Sequence, residues 1–467
     1  MLSFFPQQFS LKAIGLYIGS LAAVTILFFS HAMSWEFIVM GIAWVVGFFL
    51  LVSNCSTKWR EWPRKRYLSA VFWTALGLRI VWVLFSYVFY TLHTGIPFEF
   101  EAADSLGYFE APIGLSQLKF PDLVRVMFPA GGNWSDSGYI FYLSLLYKIT
   151  GPNIIIVRLI KAAISAATVL LIYKVAERNI GEEGARMAGI FACFMPNLII
   201  YCGLHLKETE MLFLMVAFLE RADYLLRSRK YNVFTIALPI LLALSLFTFR
   251  SVLGAAAIFS FATAIVFTSA KVIGKKKRAM LIAWGILAAT MLAGGTIVNE
   301  VEGYWEERGN NQSTKRTVQT LEGNKWAKYA TGTVMAPMIF VLPFPTMVDV
   351  AEQHNQEVLS GGNYVRNFLG AFVLIALFNA IFITKNWRDL SLLGSFVVAY
   401  LGIISTSGYA NSERFLLPGL PVLLIMAAYG VTQLNAKTYK FVKIWYYVVP
   451  AMALGWAVFK VGSRGLL

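Results

Sequence analysis

The stretch IIIVRLIKAAISAATVLLIYKVAE, residues 154–177, is an apolar run as long as a membrane-crossing helix. Such a helix needs about 20 predominantly apolar residues. A second run follows at once, at residues 183–203. The whole chain read in this way predicts about thirteen spans, at 13–31, 35–54, 68–91, 154–177, 183–203, 208–226, 232–248, 252–270, 279–298, 366–385, 389–407, 414–433 and 444–461. The pattern predicts an all-α polytopic membrane protein.

The composition agrees with this fold class. Of the 467 residues, 58% are hydrophobic and 14% are charged, whereas soluble domains carry roughly a quarter charged residues. The formal net charge is +15, but the basic residues lie in short clusters between apolar runs, so no nucleic-acid partner is expected. The main clusters are KWREWPRKR (58–66), RSRK (227–230), KVIGKKKR (271–278) and KTYKFVK (437–443).

The basic clusters also predict a topology. With the N-terminus in the cytoplasm, all of them lie on the cytoplasmic side, as the positive-inside rule requires. Two long polar segments, 92–153 and 299–365, then lie on the extracytoplasmic face. Each contains an apolar patch that is too short or too Pro-broken to span, at 139–149 and 334–345, which predicts interfacial helices. We expect one membrane-embedded domain, residues 1–467, with two structured extracytoplasmic loops.

The first of these loops opens with an acidic segment, FEFEAADSLGYFEA (98–111). Asp104 is predicted at the start of a short helix, where it either caps the helix or acts as a general base near the membrane surface. Glu99 and Glu101 would face the same way on an extended strand. With Asp104 they either coordinate a divalent cation, Mg²⁺ or Mn²⁺, or form a solvated loop.

Further charges lie where helices meet the extracytoplasmic face. Lys207 and Glu208 lie in GLHLKETEMLF (203–213), Arg250 in a short turn, and Arg414 at the start of a span. Cations on this face oppose the positive-inside trend. They either bind phosphate oxygens of an anionic partner, or they anchor lipid headgroups and complement helix ends.

Three motifs carry a resemblance to a known family. They are ADSLGYFEA (103–111), SGYIFYLSLLYKITGPN (137–153) and ERFLLPGLPVLLIMAAYG (413–430). In this order and spacing they resemble the GT-C superfamily of integral membrane glycosyltransferases, particularly the bacterial relatives of dolichyl-phosphate-mannose protein mannosyltransferases. The resemblance covers roughly residues 95–230 and 405–432.

The resemblance implies a GT-C-like fold and a polyprenyl-phosphate-linked sugar as donor. The sugar would pass to a hydroxyl of a glycan, lipid or protein acceptor on the extracytoplasmic face of a bacterial inner membrane, in cell-surface glycan assembly. One carboxylate acting as base, with direct displacement of the phosphate, predicts inversion at the anomeric carbon.

The resemblance also implies roles for individual residues. Asp104 would be the catalytic residue of the acidic loop, and Glu101 is the second candidate. The residues near the donor phosphate would be Lys207, Glu208 and Arg414, and charge adds Arg250 to this group. Family members often have a second acid beside the first, whereas Ser105 follows Asp104 here. The division of labour between Asp104 and Glu101 therefore stays open.

Two other classes of protein remain open on the sequence. A polysaccharide polymerase or an O-antigen-ligase-type enzyme would use a lipid-pyrophosphate-linked glycan and depend on extracytoplasmic Arg and His, for which His354 and Arg366 are available. A lipid or glycan transporter or flippase would show paired halves and broken spans with charge at the midplane.

Overall fold

The computed structural model describes residues 4–129, 134–228, 232–269, 344–349, 354–405 and 413–462, and a few positions between 273 and 282. All regular secondary structure in these residues is helical. In chain order the α-helices are α1 (Gln7–Leu27), α2 (Trp35–Lys58), α3 (Arg64–Thr94), α4 (Ala103–Leu115), α5 (Phe120–Met127), α6 (Ser137–Thr150), α7 (Ile154–Phe194), α8 (Pro196–Ile200), α9 (Glu208–Arg227), α10 (Val233–Phe249), α11 (Ser251–Phe267), α12 (His354–Val358), α13 (Ser360–Phe378), α14 (Ser391–Ser405), α15 (Glu413–Leu416), α16 (Leu420–Thr432) and α17 (Ala436–Gly462).

Long apolar helices dominate the described residues. Seven of them have the length and hydropathy needed to cross a membrane: Gln7–Leu27, Trp35–Lys58, Arg64–Thr94, Ile154–Phe194, Ser360–Ile383, Glu413–Thr432 and Lys437–Gly462. Three shorter apolar helices accompany them: Val233–Phe249, Ser251–Phe267 and Ser391–Ile404. Together with the composition, they indicate an integral membrane protein with an all-α fold, as predicted. The predicted span at 279–298 lies almost entirely outside the described residues.

Helix α7 contains the run with which the prediction of spans began. It extends over 41 residues with one interruption, at Gly181, where φ is 80° and ψ is 172°. This backbone conformation is open to glycine and costly for other residues. The break divides α7 into two arms. The predicted span 154–177 lies on the first arm, and the beginning of the predicted span 183–203 lies on the second.

The second arm of α7 is shorter than predicted. It ends at Phe194 because Pro196 follows, and a residue before proline disfavours the helical conformation. Met195 accordingly has φ −62° and ψ 115°. Residues 195–203, which the hydropathy pattern assigned to a span, instead form α8 and a 3₁₀ turn.

Helix α3 supports the chain at the break between α7 and α8. The buried Arg79 guanidinium donates hydrogen bonds to the carbonyl oxygens of Ala192 and Cys193, both at 3.2 Å. The Trp82 indole donates to the carbonyl of Ile200 at 3.0 Å. The last carbonyls of a helix have no partner within the helix, so they are available to such donors. Arg79, a charge within a predicted span, therefore stabilises the end of α7.

The stretch from Glu413 to Thr432 is the most enclosed of the seven, with 94% of its apolar window buried. It packs against α7 and α13. Gly430 permits the close approach of α13, because a Cβ atom at this position would lie 1.9 Å from the carbonyl oxygen of Phe372.

The chain between α3 and α7 folds into three helices, α4, α5 and α6. Helix α6 covers the patch 139–149, so the predicted helix is present, and it packs against α4 and α10. Most of the second predicted loop, 299–365, including the patch 334–345 up to residue 343, lies outside the described residues.

Charged residues mark the two ends of the bundle. At one end, Arg64 at the start of α3 pairs with Glu177 at 2.7 Å, and Arg227 at the end of α9 donates to Asn179 at 2.9 Å. The described parts of the basic stretches 58–66 and 227–230 lie here. The start of α9 and the end of α3 point to the opposite end, where the candidate site lies.

Candidate functional site

Asp104 is the exposed member of the site. Helix α4 begins at Ala103, and its N-cap residue Ala102 makes no side-chain cap. Asp104 is therefore in the first turn rather than at the cap, and its carboxylate accepts a hydrogen bond from Arg414. The side chain of Asp104 is 62% exposed, so a solvent-borne group can reach the other face of the carboxylate.

Arg414 connects this carboxylate to a buried one. Its Nη1 contacts Asp104 and its Nε donates to Glu208, the first residue of α9. Glu208 is fully buried, and it also faces Nη2 of Arg250 at 3.4 Å. A guanidinium suits this position because its planar fork can donate to two groups at once. The result is a chain of alternating charges that runs inward from Asp104.

Arg250 is fixed between α10 and α11. Its guanidinium lies 4.4 Å from the ring centre of Phe415, and its Nη1 lies 3.4 Å from the hydroxyl of Tyr400. The Tyr400 hydroxyl donates in turn to the carbonyl of Phe415 at 2.9 Å. These contacts hold Arg250 against the residue that follows Arg414, so the two cations are positioned together.

Lys207 adds a third cation. It immediately precedes Glu208, is 3% exposed, and donates to the carbonyl of Phe249 at 2.8 Å. Its ammonium also contacts the carboxylate of Asp136, which precedes α6. Asp136 has a positive φ of 70°, a conformation that aspartate tolerates better than most residues. Lys207 thereby links the start of α6 to the end of α10.

We refer to these residues as the ionic cluster: Asp104, Asp136, Lys207, Glu208, Arg250 and Arg414. Its positive and negative formal charges sum to zero. All four residues predicted at the donor phosphate belong to it, and so does the predicted catalytic residue Asp104.

A second buried pair lies beside the ionic cluster. Lys161 of α7 faces Glu210 of α9 at 3.3 Å, and its ammonium lies 3.4 Å from the hydroxyl of Tyr139. The Tyr139 ring meets the ring of Tyr108 edge to face, with centroids 5.1 Å apart. Tyr108 lies one turn after Asp104 on α4. This pair therefore supports the helix that carries Asp104.

Glu99 anchors the start of the acidic segment. Its carboxylate is 5% exposed and accepts a hydrogen bond from Ser105. Burial raises the pKa of Glu99, while the Ser105 hydrogen bond and the charge of Arg158 oppose this rise. Arg158 itself donates to the carbonyl of Pro97 at 2.6 Å. Glu99 thus fixes the turn into α4.

Glu99 and Glu101 do not share a direction. Glu101 has a positive φ of 55° and is exposed, whereas Glu99 is buried. The prediction that Glu99 and Glu101 face the same way on an extended strand is therefore wrong. The ligand atoms of Glu99, Glu101 and Asp104 do not come within ligating distance of one another as a group. The structure does not bring these three residues together as a cation site.

Burial sets the protonation of two groups near Asp104. Burial, followed by the charge of Glu208, raises the pKa of Tyr108 to about 12. Burial, followed by the charges of Lys161 and Arg158, holds the pKa of His205 well below its usual range. Both side chains are therefore neutral near pH 7, and neither competes with Asp104 as an ionised group.

The sequence reading did not single out Lys161, Arg158 or Asp136. Arg158 and Lys161 are three residues apart on α7, within an apolar run, and both are fully buried. A charge inside a predicted span is a functional hypothesis by default, and this signal could have identified them.

Within the part of the chain that the structure describes, the two residues predicted for a polymerase or ligase make no hydrogen bond or ion pair with the ionic cluster. The His354 ring packs against Phe37 and Phe100. Arg366 lies on α13 and is 6% exposed. The structure therefore does not bring His354 and Arg366 to Asp104 as partners.

Comparison of the sequence with models of known protein families and with curated proteins gave no match.

Proposed function

We propose that this chain is a membrane glycosyltransferase of the GT-C type, which transfers a sugar from a polyprenyl-phosphate donor to an acceptor hydroxyl. The observation that carries the proposal is an exposed carboxylate, Asp104, in contact with the partly exposed Arg414 and near the buried cations Lys207 and Arg250. Such a reaction needs a base that the acceptor can reach and fixed positive charge for the departing phosphate.

The proposed step replaces one bond at the anomeric carbon and transfers one proton. The acceptor oxygen attacks the anomeric carbon while the bond from that carbon to the donor phosphate oxygen breaks. The acceptor proton passes to the Asp104 carboxylate. The phosphate leaves as a monoester with one more negative charge than the donor diester, and Arg414, Arg250 and Lys207 stabilise that charge. Attack opposite the leaving group gives inversion of the anomeric centre.

Arg414 supports a link between donor binding and base activation. Its guanidinium is divided between Asp104 and Glu208. A donor phosphate near Arg414 would exchange with Asp104 for the outer guanidinium nitrogen. Asp104 would then be released to accept the acceptor proton, while Glu208 keeps Arg414 in place.

The proposal includes the topology predicted from the sequence. It assigns about thirteen spans, a cytoplasmic N-terminus and a bacterial inner membrane, with the ionic cluster on the extracytoplasmic face. The second loop, 299–365, would bind the acceptor. The position of the described basic stretches at the end of the bundle remote from Asp104 supports this orientation.

The experiment is sugar transfer by the purified full chain in nanodiscs, with a panel of polyprenyl-phosphate sugars. Wild type is compared with Asp104→Asn and with the matched control Glu110→Gln, an exposed acid on the same helix. We expect transfer of one sugar by wild type and by the control, and donor binding without turnover in Asp104→Asn.

Other outcomes decide against parts of the proposal. Full activity of Asp104→Asn would remove the role of Asp104 as base and make Glu101 the next residue to test. A product with the anomer of the donor would contradict inversion. Use of a lipid-pyrophosphate glycan, with no use of any lipid-phosphate sugar, would replace the proposal by a polymerase or ligase.

A further inference from the structure

A second group of chemistry-bearing side chains lies outside the ionic cluster. Asp349, His354 and Glu357 each offer one ligand atom, and these atoms all lie within 4.8 Å of one another. The Nδ1 atom of His354 is 3.3 Å from Oε1 of Glu357 and 4.0 Å from Oδ1 of Asp349. The imidazole nitrogen thus faces both carboxylates. Within the described residues this is the group whose geometry suits a metal ion.

One of the separations matches the edge of a tetrahedral metal site. Nitrogen and oxygen ligands lie about 2.0–2.2 Å from Zn²⁺, so two ligand atoms of one tetrahedron are about 3.4 Å apart. The His354–Glu357 distance of 3.3 Å already has this value. The Asp349 carboxylate lies farther away, at 4.0 Å from the same His354 nitrogen, and its side chain, which is 48% exposed, would have to move inward to complete the site.

The donor set indicates which ions would bind. One imidazole and two carboxylates suit first-row transition ions such as Zn²⁺, whereas Mg²⁺ and Ca²⁺ prefer oxygen ligands alone. A divalent ion would also balance the charges of the two carboxylates. The Glu357 side chain is only 1% exposed, so its charge has little access to water. The half-exposed side chains of Asp349 and His354 leave room for water as a fourth ligand.

Neighbouring residues hold the ligands in position. The His354 ring stacks on Phe37, with centroids 6.0 Å apart, and meets the edge of Phe100 at 5.3 Å. The side chain of Asn355 donates to the carbonyl of Phe100. The amide of Asp349 donates to the carbonyl of His31 at 2.8 Å. Such outer contacts orient metal ligands, and these contacts join three parts of the chain.

We propose that Asp349, His354 and Glu357 bind a Zn²⁺-class divalent ion. The ion links Asp349 to α12, while the contacts of Asp349 with His31 and of Asn355 with Phe100 connect this site to the turn between α1 and α2 and to the acidic segment. The ligands of the ion are separate from the ionic cluster, so the ion takes no part in the proposed sugar transfer. The proposal does not depend on the glycosyltransferase activity.

The experiment measures Zn²⁺ binding to the purified full chain, without any sugar or lipid donor. The protein is stripped with a chelator, titrated calorimetrically with zinc chloride, and analysed for metal content. Co²⁺ provides a second probe, since its visible absorption reports tetrahedral nitrogen and oxygen ligation. The variants are His354→Ala and Asp349→Asn. Glu357 is left unchanged because it is buried and its replacement could prevent folding, whereas Asp349 is half-exposed and can be replaced with less risk.

The matched control is His93→Gln. His93 pairs with a single carboxylate, since its Nε2 lies 3.8 Å from Oε1 of Glu36. We expect one Zn²⁺ per wild-type chain and a higher melting temperature with the ion. His354→Ala should lose more affinity than the roughly 10–100-fold that loss of an outer contact costs. Asp349→Asn should be weakened too, and His93→Gln should match wild type.

Three results would overturn the proposal. The first is a wild-type chain that takes up no stoichiometric Zn²⁺. The second is unchanged affinity in both His354→Ala and Asp349→Asn, and the third is an equal loss in His93→Gln. None of them bears on sugar transfer, so failure here and failure of the proposed function are distinguishable.

Discussion

Arg414 donates a hydrogen bond to Asp104, which lies 310 residues earlier in the chain. The same guanidinium donates to Glu208, 206 residues earlier. Three distant segments therefore meet at one side chain, and this contact unites residues that the sequence presents separately.

Substitution of Arg414 should abolish transfer more than it affects folding. Arg414→Ala removes a fixed positive charge from the departing phosphate, and we expect kcat/KM to fall by about 100-fold or more. Arg414→Lys keeps the charge but loses the fork, so it should recover activity only in part. Kinetics in nanodiscs would measure both. The control is Arg125→Ala, an exposed arginine at the end of α5. Equal kinetics in Arg414→Ala and wild type would contradict the assignment.

Neutralisation of Glu208 should destabilise the fold. Glu208→Gln leaves the guanidinium groups of Arg250 and Arg414 without their shared carboxylate, and breaking a buried pair costs about 3–5 kcal/mol. Thermal unfolding of the purified chain would show a lowered melting temperature. The control is Glu182→Gln at the opposite end of the bundle. Its side chain is 51% exposed and pairs with Arg186 at 2.7 Å, and exposed pairs contribute about 0.2–1 kcal/mol. A smaller effect at Glu208 than at Glu182 would show that Glu208 is not an essential counterion.

Acidic pH should weaken the fold through His205. Burial, with the charges of Lys161 and Arg158, holds the pKa of His205 well below its usual range. The unfolded chain binds this proton below about pH 6.5, whereas the folded chain does not. The contribution of His205 is therefore complete above that pH and declines as the pH falls towards the low folded pKa. Melting temperatures between about pH 7 and pH 5 should fall less in His205→Gln than in wild type. His93→Gln is the control. If the melting temperature of His205→Gln fell with pH as steeply as that of wild type, the prediction would be refuted.

Two glycines should respond to alanine in opposite directions. In Gly430→Ala, the new Cβ would meet the carbonyl oxygen of Phe372 at 1.9 Å, so the enclosed Leu420–Thr432 helix must move away from α13. We expect poor expression and a lower melting temperature. In Gly77→Ala nothing lies within 4 Å of the new Cβ. Replacing this helix-interior glycine by alanine should raise the free energy of unfolding by about 0.5–1 kcal/mol. Similar stability in the two variants would contradict the close approach of the helices.

Much of the ionic cluster could be predicted because charge is rare in this chain. Lys207, Arg250 and Arg414 were identified as cations at the ends of apolar runs, and the structure brings them together with Asp104. Their partners could not be assigned, because the separation along the chain between Arg414 and Asp104 carries no pairing signal. The role of Asp136 was missed for the same reason.

Backbone breaks were harder to predict than spans. Hydropathy averages over many residues, so it reads through the single residue Gly181 and through the proline that ends α7. The misassigned orientation of Glu101 has a similar cause. An alternating E-x-E pattern assumes a uniform strand, whereas the positive φ of Glu101 reverses the direction of its side chain.

The anchoring of the α7–α8 break by α3 has a consequence for genetic experiments. Arg79 and Trp82 hold the chain at residues 192–200, a few residues before Lys207 and Glu208. These hydrogen bonds go to backbone carbonyls and not to the ionic cluster, so we expect Arg79 and Trp82 to affect the cluster through the position of the chain that leads into α9. In an unbiased mutational screen, substitutions at Arg79 and Trp82 should therefore group with Lys207 and Glu208 by phenotype, and a suppressor of one group should be sought in the other.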